Sequence, residues 1–282
     1  MLYALVASAA VAAAAAGSDG LPTLEVPTCP HVATASGFSL IGFGSLTAPP
    51  QETSASVCWN QTHLRVKWAA ASKDVVSNST KCHDKVWTQD AVEFYISPGS
   101  QTSTNYTEID SSPRGGLWLG RIVNPSGYDP SAASYKNLPD CTASGVRLRT
   151  ALDKAGFTAS LDLPFSFLLG TTSYADVPTE WRANFYRWNT VPRNLTAWSP
   201  TSCDGVWPCN APHVSKRSFA RLDPQNIRCA QLGLPQQLHQ VPKYFGHLRL
   251  IKDRKSTDSA PWGGALAAFR SAFDLRRAAS GA

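Results

Sequence analysis

Apolar and polar residues alternate with a period of two through much of this 282-residue chain. The segment THLRVKWA places Leu64, Val66 and Trp68 on one side and basic side chains on the other. Successive side chains of a β-strand point to opposite faces, so the pattern predicts a strand with one buried face. Similar runs are AVEFYI (residues 91–96), FTASLDLP (157–164), WRANFYRW (181–188) and FGHLRLI (245–251).

Clusters of Pro, Gly, Ser, Asn and Asp separate these runs, and no helical period is sustained in the middle of the chain. Successive strands without helical crossovers predict an all-β fold, an antiparallel β-sandwich or jelly roll with long loops. The sandwich is expected over residues 37–252. Residues 253–282 form a basic tail whose apolar spacing predicts a short C-terminal helix, either docked or frayed, or a surface for attachment.

The N-terminus, MLYALVASAAVAAAAAGSDG, contains an apolar run that ends in small side chains. The run of about 15 residues is shorter than the roughly 20 that a bilayer span needs, so it predicts a cleaved signal peptide over residues 1–17. The alternatives are a disordered Ala-rich leader and an uncleaved anchor. Residues 18–36 are then the N-terminal segment of a secreted protein.

Four Asn-x-Ser/Thr sequons and seven cysteines fit an extracellular or secretory-lumen location. The sequons begin at Asn60, Asn78, Asn105 and Asn194 and predict N-linked glycosylation. The chain has no C-x-x-C pair, so disulfides are favoured over a metal site, with up to three bonds and one thiol left over. Sequence leaves the pairing open. The cysteines are Cys29, Cys58, Cys82, Cys141, Cys203, Cys209 and Cys229.

The formal net charge of +6 comes from scattered basic residues rather than from a Lys/Arg tract. Proteins that follow a phosphate backbone usually cluster their cations, so nucleic acid is not expected as a partner. No nucleotide-binding, serine-hydrolase or zinc-protease motif occurs, and no two of the six histidines have a metal-ligand spacing. Binding, with no cofactor required, is the simplest function for such a chain.

The stretch KVWTQDAVEFYISPG combines a tryptophan with two acids. Its alternation sends Val92, Phe94 and Ile96 to one face. If the extended conformation begins early, Trp87 and Glu93 share the opposite face, which would then face a ligand or solvent. In the alternative interpretation, Trp87 caps the core from a loop and Glu93 is an ordinary solvated residue.

Two further strands carry groups suited to a hydroxyl-rich ligand. NYTEID places Glu108 and Asp110 on one face of a strand. Together with Asp90 and Glu93 they form a set of four acids, and a glycosidase would need two such acids on either side of the bond that it cleaves. WRANFYRW places Asn184 beside guanidinium, phenol and indole groups, which stack on sugar rings and hydrogen-bond their hydroxyls. Ordinary exposed acids and structural hydrogen bonds are the competing explanations.

In their order these segments resemble carbohydrate-binding module family 9 and its eukaryotic secreted relatives, a DOMON-related group of β-sandwich domains. The resemblance covers about residues 37–252. Its most specific parts are W-x-x-D-x-V-E-x-x-I, which begins at Trp87, and P-x-x-F-G-x-L-x-L, which ends at Leu250. Between them lie NYTEIDSSPRGGLWLGRI, FTASLDLPFSFL, EWRANFYRWN and AWSPT.

The resemblance implies binding of glucan or xylan, often at a chain end held between two tryptophans, in carbohydrate catabolism. Trp87 matches the first tryptophan, Glu93 the carboxylate that hydrogen-bonds the sugar, and Asn184 a strand asparagine. Two positions depart from the family: His239 replaces the second tryptophan, and Glu108 replaces an arginine that contacts sugar. These five residues are the predicted ligand-binding set. Family members can hold structural calcium, but the loop carboxylates here form no recognisable set of ligands.

Several alternatives stay open. The segment APHVSKRSFARLD (residues 211–223) mimics LHQVPKYFGHLRL (238–250), and either could form the last strand; the intact F-G-x-L favours the second. The competing functions are a glycoside hydrolase or its accessory module, and a structural surface protein with a degenerate site. Haem held between Met and His is not available, because the sole methionine is Met1, within the predicted leader.

Overall fold

The computed structural model describes residues 15–16, 19–41, 51–127, 132–138, 140–191, 194–199 and 241–252. Within these residues the chain forms two β-sheets that bury a common apolar core, and the only α-helix, α1, has five residues. The predicted all-β sandwich is confirmed. The predicted C-terminal helix, His239, and Cys203, Cys209 and Cys229 lie outside the described residues.

The strands follow one another in chain order. They are β1 (Ala15–Ala16), β2 (Pro22–Val26), β3 (Ala33–Ala35), β4 (Ser39–Leu40), β5 (Thr53–Trp59), β6 (His63–Ala71), β7 (Ala91–Pro98), β8 (Asn105–Ser111), β9 (Leu117–Val123), β10 (Ser134–Asn137), β11 (Arg147–Asp153), β12 (Gly156–Pro164), β13 (Glu180–Asn189), β14 (Asn194–Ala197) and β15 (Gly246–Leu250). Helix α1 is Phe165–Leu169, and short 3-10 turns occupy Val86–Thr88, Tyr174–Asp176 and Pro242–Tyr244.

The larger sheet has the order β1-β2-β15-β13-β7-β8-β9-β10, and β14 pairs with both β13 and β4. The smaller sheet has the order β11-β12-β6-β5-β3. Strands β2 and β15 pair in parallel, whereas every other pair between the named strands is antiparallel. Strands β2 and β3 come from residues 18–36, so the sheets include a segment that the expected boundary at residue 37 left outside.

The last of the described strands, β15, lies within residues 238–250, the candidate that the F-G-x-L pattern favoured. Residues 211–223 are outside the described part of the chain. The glycine of this pattern has a steric reason, because a Cβ on Gly246 would lie 2.7 Å from the carbonyl oxygen of Pro22 and would collide with the ring of Trp198. The side chain of Phe245 packs on the opposite face, against Tyr95 and Tyr106.

The core between the sheets is built by the alternating residues that the sequence singled out. Strand β6 alternates strictly between buried and half-buried residues, as predicted. Its Trp68 ring meets Phe94 of β7 and Phe185 of β13 edge-on, with centroids 6.2 and 6.1 Å apart. Those two phenylalanine rings stack on each other at 4.9 Å. Trp68 therefore joins the smaller sheet to the two central strands of the larger one.

Strands β7 and β13 depart from the predicted alternation. Val92, Phe94 and Ile96 do face the core, but Ala91 to Ser97 are all buried, as are Trp181 to Asn189. A second apolar cluster covers the other face of these strands, with Tyr95, Tyr106, Tyr186 and Phe245 among its members. The alternative interpretation, in which Glu93 is an ordinary solvated residue, is therefore wrong, because its face of the sheet carries a core of its own.

Two disulfides occur among the described residues. Cys29 bonds to Cys58 of β5, and Cys82 bonds to Cys141, which precedes β11. Both connect segments that are distant in the chain, with separations of 29 and 59 residues. The expectation of disulfides over a cysteine metal site is confirmed for these four residues. No helix in the described ranges has the length and apolar character needed to cross a membrane.

Trp68 provides a test of the packing between the sheets. We expect Trp68→Ala to lower the free energy of unfolding by about 3–5 kcal/mol, because it leaves a cavity against Phe94 and Phe185. Leu152→Ala, at a side chain that is 43% exposed on β11, should change it by less than about 0.5 kcal/mol. Denaturant titration with the disulfides intact measures both, and a loss below about 1 kcal/mol for Trp68→Ala would contradict this packing.

Candidate functional site

The strand register brings together polar residues that are far apart in the sequence. Tyr95 of β7 pairs with Glu108 of β8 on one side and with Asn184 of β13 on the other. Two residues away on β7, Glu93 pairs with Asp110 and with Tyr186. Residues two apart in a strand share a face, and directly paired residues have Cβ atoms about 4.5–5.5 Å apart. We call this surface the carboxyl face: Glu93, Tyr95, Glu108, Asp110, Asn184 and Tyr186.

The carboxyl face is buried. Its three acids are at most 6% exposed, and the aromatic rings of the second cluster surround them. Tyr95 stacks on Tyr106 at 5.7 Å and lies 5.0 Å from Tyr186. Ionised carboxylates are costly to bury without a cation, so such groups keep their protons instead.

The acid–base properties of the three acids follow from this burial. Burial raises the pKa of Glu108 to about 8, while hydrogen bonds to Tyr95 and Asp110 oppose the shift. Burial and the neighbouring Glu108 raise the pKa of Glu93 well above its ordinary range, and burial with both glutamates does the same for Asp110. Glu108 is therefore mainly protonated at pH 7. A protonated carboxyl donates and accepts hydrogen bonds, so the face acts as a neutral hydrogen-bonding cluster.

Asn184 is held rigidly in this cluster. Its Nδ2 donates to the carbonyl oxygen of Ser199 at 2.6 Å and to the hydroxyl of Tyr186 at 2.9 Å. Its Oδ1 accepts from the backbone N–H groups of Ser199 and Phe185, both at 2.9 Å. The amide thus joins β13 to the segment after β14 and orients the Tyr186 hydroxyl.

Trp87 lies at the border of the carboxyl face, although not by continuing β7. It belongs to the 3-10 turn Val86–Thr88, and the strand begins only at Ala91, so the condition of an early extended conformation is not met. The half-buried indole meets Trp118 edge-on, with ring centroids 5.8 Å apart. Because Trp118 pairs with Asp110, this contact places Trp87 beside the carboxyl face.

A glycine allows Trp118 to take this position. Gly120 lies two residues along β9 and pairs with Glu108. The ring of Trp118 covers Gly120 so closely that a Cβ there would overlap the indole. The pattern LWLGRI therefore places an aromatic ring across the sheet surface next to Glu108.

Tyr135 is a residue of this face that sequence reasoning missed. It lies on edge strand β10, pairs with Ile122, and is 48% exposed. Burial of the phenol, and next the neighbouring Glu108, raise the pKa of Tyr135. Its strand, SYKN, has four exposed residues and no apolar alternation, so the sequence held no signal for it.

Asp90 is a structural residue rather than part of an acid pair. Its Oδ1 accepts the backbone N–H of Thr190 at 2.6 Å, and its Oδ2 accepts that of Val76 at 3.2 Å. The buried carboxylate thus connects the loop before β7 to the turn after β13. The hydrolase alternative loses one of the acids on which it depended.

A polar surface depression of about 350 Å³ lies beside the Trp87 turn. Its lining comes from that turn and from the preceding loop: Asn78, Ser79, Thr80, Lys81, Asp84, Lys85, Thr88 and Gln89. The sequon residue Asn78 is in this lining, and Asn105 is exposed one residue before Tyr106. The asparagines of the other two sequons, Asn60 and Asn194, are half-buried. Glycans at Asn78 and Asn105 would border the candidate site.

A group of possible metal ligands lies elsewhere. Sulfur atoms of Cys82 and Cys141 and a ring nitrogen of His83 lie within 4.8 Å of one another. The two sulfur atoms are joined in a disulfide and are not available as thiolate ligands. This group therefore does not form a metal centre in the oxidised protein.

Comparison with known proteins gives one relative and several structural neighbours. No family model matches the chain. An extracellular protein of Arthroderma benhamiae is 27% identical over 228 residues, which is 77% of this chain and 94% of the relative. This relative, together with the two disulfides, confirms the predicted extracellular localisation.

The structural neighbours are carbohydrate-binding domains. A candidate carbohydrate-binding protein from Bacteroides uniformis superposes with a TM-score of 0.53 and 12% identity, covering 81% of this chain and 98% of that one. A carbohydrate-binding module of family 9 from Caldicellulosiruptor kristjanssonii, solved with cellotriose and with glucose, gives a TM-score of 0.44 and 11% identity over 85% of this chain and all of the module. At these identities the first comparison supports the β-sandwich fold.

The buried acids predict a stability that falls as pH rises. Because the pKa of Glu108 is about 8 in the folded protein and 4.5 ordinarily, the folded state binds more protons between these values, and raising the pH through this window favours unfolding. Glu93 and Asp110 act in the same direction. Burial lowers the pKa of His63, which acts in the opposite direction.

Comparison of the native protein with Glu108→Gln separates these contributions. We expect the melting temperature of the native protein to fall from pH 5 to pH 8, and that of Glu108→Gln to fall less. Differential scanning calorimetry at both pH values measures the difference. Equal pH dependence in the two proteins would contradict the raised pKa of Glu108.

Proposed function

We propose that this protein binds a carbohydrate, without transforming it, at the border of the carboxyl face. The observation that carries the proposal is the register of β7, β8 and β13. It places Glu108 and Asn184 on either side of Tyr95, and Glu93 two residues from Tyr95 on the same strand, so that residues separated by up to 91 positions share one sheet face. In the sequence resemblance, Glu93 matches a carboxylate that hydrogen-bonds sugar, Asn184 matches a strand asparagine, and Glu108 replaces an arginine that contacts sugar.

Aromatic rings at the border supply the second component of such a site. Trp87 and Tyr135 reach solvent: Trp87 contacts Trp118, which pairs with Asp110, and Tyr135 pairs with Ile122, the neighbour of Tyr106. Sugar rings present C–H faces that stack on aromatic rings, while their hydroxyls need both donors and acceptors. Protonated acids and phenols offer both kinds of group, and the absence of net charge suits a neutral sugar.

The ligand class that fits this arrangement is a glucan or xylan, held by one aromatic platform and hydrogen bonds. The shared fold of the candidate carbohydrate-binding protein from Bacteroides uniformis agrees with this class. The buried part of the carboxyl face then does not contact a polymer along its length. It supports the residues that do contact the sugar, and Asn184 orients Tyr186. A chain end can reach partly buried groups that the middle of a polymer cannot, so binding at a chain end is proposed. We further propose a role in carbohydrate catabolism, cleavage of residues 1–17 and glycosylation of the sequons.

Trp87 is the first residue to test. We expect Trp87→Ala to weaken binding of cello- and xylo-oligosaccharides by about two- to twelvefold, which corresponds to the roughly 0.5–1.5 kcal/mol of one aromatic contact. Tyr174→Ala is the matched control, because Tyr174 is also partly exposed but stacks on Trp59 of the smaller sheet. Isothermal titration calorimetry measures both variants, and circular dichroism checks their folds. Unchanged binding by folded Trp87→Ala would remove Trp87 from the site.

Substitutions of Glu93 test whether the site is electrically neutral. Since burial keeps Glu93 protonated, Glu93→Gln is close to isosteric with the group present at pH 6 and should keep binding within about threefold and the fold intact. Glu93→Ala removes the hydrogen bonds and leaves a void, so its binding should fall further than that of the glutamine variant. If Glu93→Gln and Glu93→Ala both abolished binding, the site would require a charged carboxylate. The neutral hydrogen-bonding cluster would then be wrong.

A further inference from the structure

The outer face of the smaller sheet carries a dense group of cations. Strand β11 places Arg147 opposite Asp162 of β12, and Asp162 lies opposite Arg65 of β6. In the next row, Arg149 lies opposite Ser160, and Ser160 lies opposite Lys67. All four cations lie on the face that points away from the core, since the residues between them, such as Val66 and Leu161, are buried. We call Arg65, Lys67, Arg147 and Arg149 the basic patch.

One carboxylate partly neutralises the basic patch. Asp162 lies 3.3 Å from Nε of Arg65 and 3.2 Å from a terminal nitrogen of Arg149. Four positive charges and one negative charge leave a net charge of +3 on these two rows. Arg149 keeps 67% of its side chain exposed, and the exposed Arg147 forms no ion pair within the described part of the chain.

The other charged groups of this face do not cancel the patch. His63, in the row beyond Arg65, has a pKa lowered by burial and is neutral at pH 7. The acids Asp153 and Glu52 lie at the opposite end of the sheet, where Asp153 accepts backbone N–H groups of its own turn at 2.7 and 3.1 Å. Asp153 is four residues along β11 from Arg149, or about 13 Å at the usual strand rise.

The spacing of the patch suits an extended polyanion. Residues two apart along a strand are about 7 Å apart, and residues two strands apart are about 10 Å apart, so the four cations occupy the corners of a flat rectangle. Between them lies the half-buried hydroxyl group of Ser160, which pairs with both Arg149 and Lys67. A flat surface of this kind has no enclosure for a small anion, but it can pair with several anionic groups of one chain at once.

We infer that the basic patch binds an anionic polysaccharide, whose carboxylate or sulfate groups pair with the cations while a sugar hydroxyl bonds to Ser160. The extracellular localisation favours this partner over nucleic acid. The neutral part of the face, which includes Ala69, Ala151 and Thr158, offers no large apolar side chain to insert into a lipid layer. The site lies on the opposite side of the sandwich core from the carboxyl face, so it does not depend on the proposed function.

The test uses the purified extracellular protein with polygalacturonate and heparin as probes. We expect both to bind in low salt, with affinity that falls as NaCl is added, because bound counterions are released on association. The double variant Arg147→Gln with Arg149→Gln should bind at least tenfold more weakly. Both residues are exposed and lose one surface ion pair at most, so the fold should survive.

A matched control has the same change of net charge elsewhere. Lys73→Gln with Lys154→Gln removes two exposed cations from the opposite end of the same sheet and should keep nearly native affinity. Equal loss in both double variants would show a general effect of net charge and overturn the site. Binding to duplex DNA or to phosphatidylserine vesicles but to neither polysaccharide would overturn the ligand class. Glucan binding should be unchanged in the patch variant, so this inference and the proposed function fail independently.

Discussion

Burial of the two central strands on both faces is the constraint on which the rest of the structure depends. Strands β7 and β13 lie side by side in the middle of the larger sheet, and nearly every one of their residues is buried. On one face, Trp68 of the smaller sheet packs against Phe94 and Phe185. On the other face, a cluster of tyrosines and tryptophans surrounds three carboxyl groups. Burial in such surroundings favours the protonated form of a carboxyl group, and this decides the chemistry of the candidate site.

The two outer surfaces of the sandwich therefore have opposite electrostatic properties. The acids of the larger sheet are buried beneath aromatic rings and are neutralised by protonation, whereas the cations of the smaller sheet remain at the surface and keep their charge. A neutral, aromatic border suits stacking on an uncharged sugar, and an exposed row of cations suits a polyanion. One sandwich can thus present two distinct surfaces to the polysaccharides of an extracellular environment, because its sheets bury different kinds of residue.

Strands β6 and β12 of the smaller sheet were predictable because one face of each is in contact with solvent. In β6 and β12 the apolar residues alternate with polar ones, and the period of two identifies both the strand and its buried face. For β7 and β13 the same argument found the strands and the core-facing residues, but it mistook the second face for a solvated one. Polar residues on that face are buried by tertiary packing, which has no local signal. Tyr135 was missed for a related reason, since a four-residue edge strand is too short to show a period.

By itself, the sequence determined the all-β character, several strands with the residues that face the main core, the preference for disulfides and a set of candidate ligand-binding residues. Only the tertiary structure decided which strands are neighbours. It brings Glu93, Glu108 and Asn184 together around Tyr95 on one sheet face, and it places Trp87 beside that face through Trp118 rather than along β7. It also decided the pairing of Cys29 with Cys58 and of Cys82 with Cys141. Cross-strand pairing, burial and the resulting pKa values depend on residues distant in the chain, whereas periodicity and composition are local.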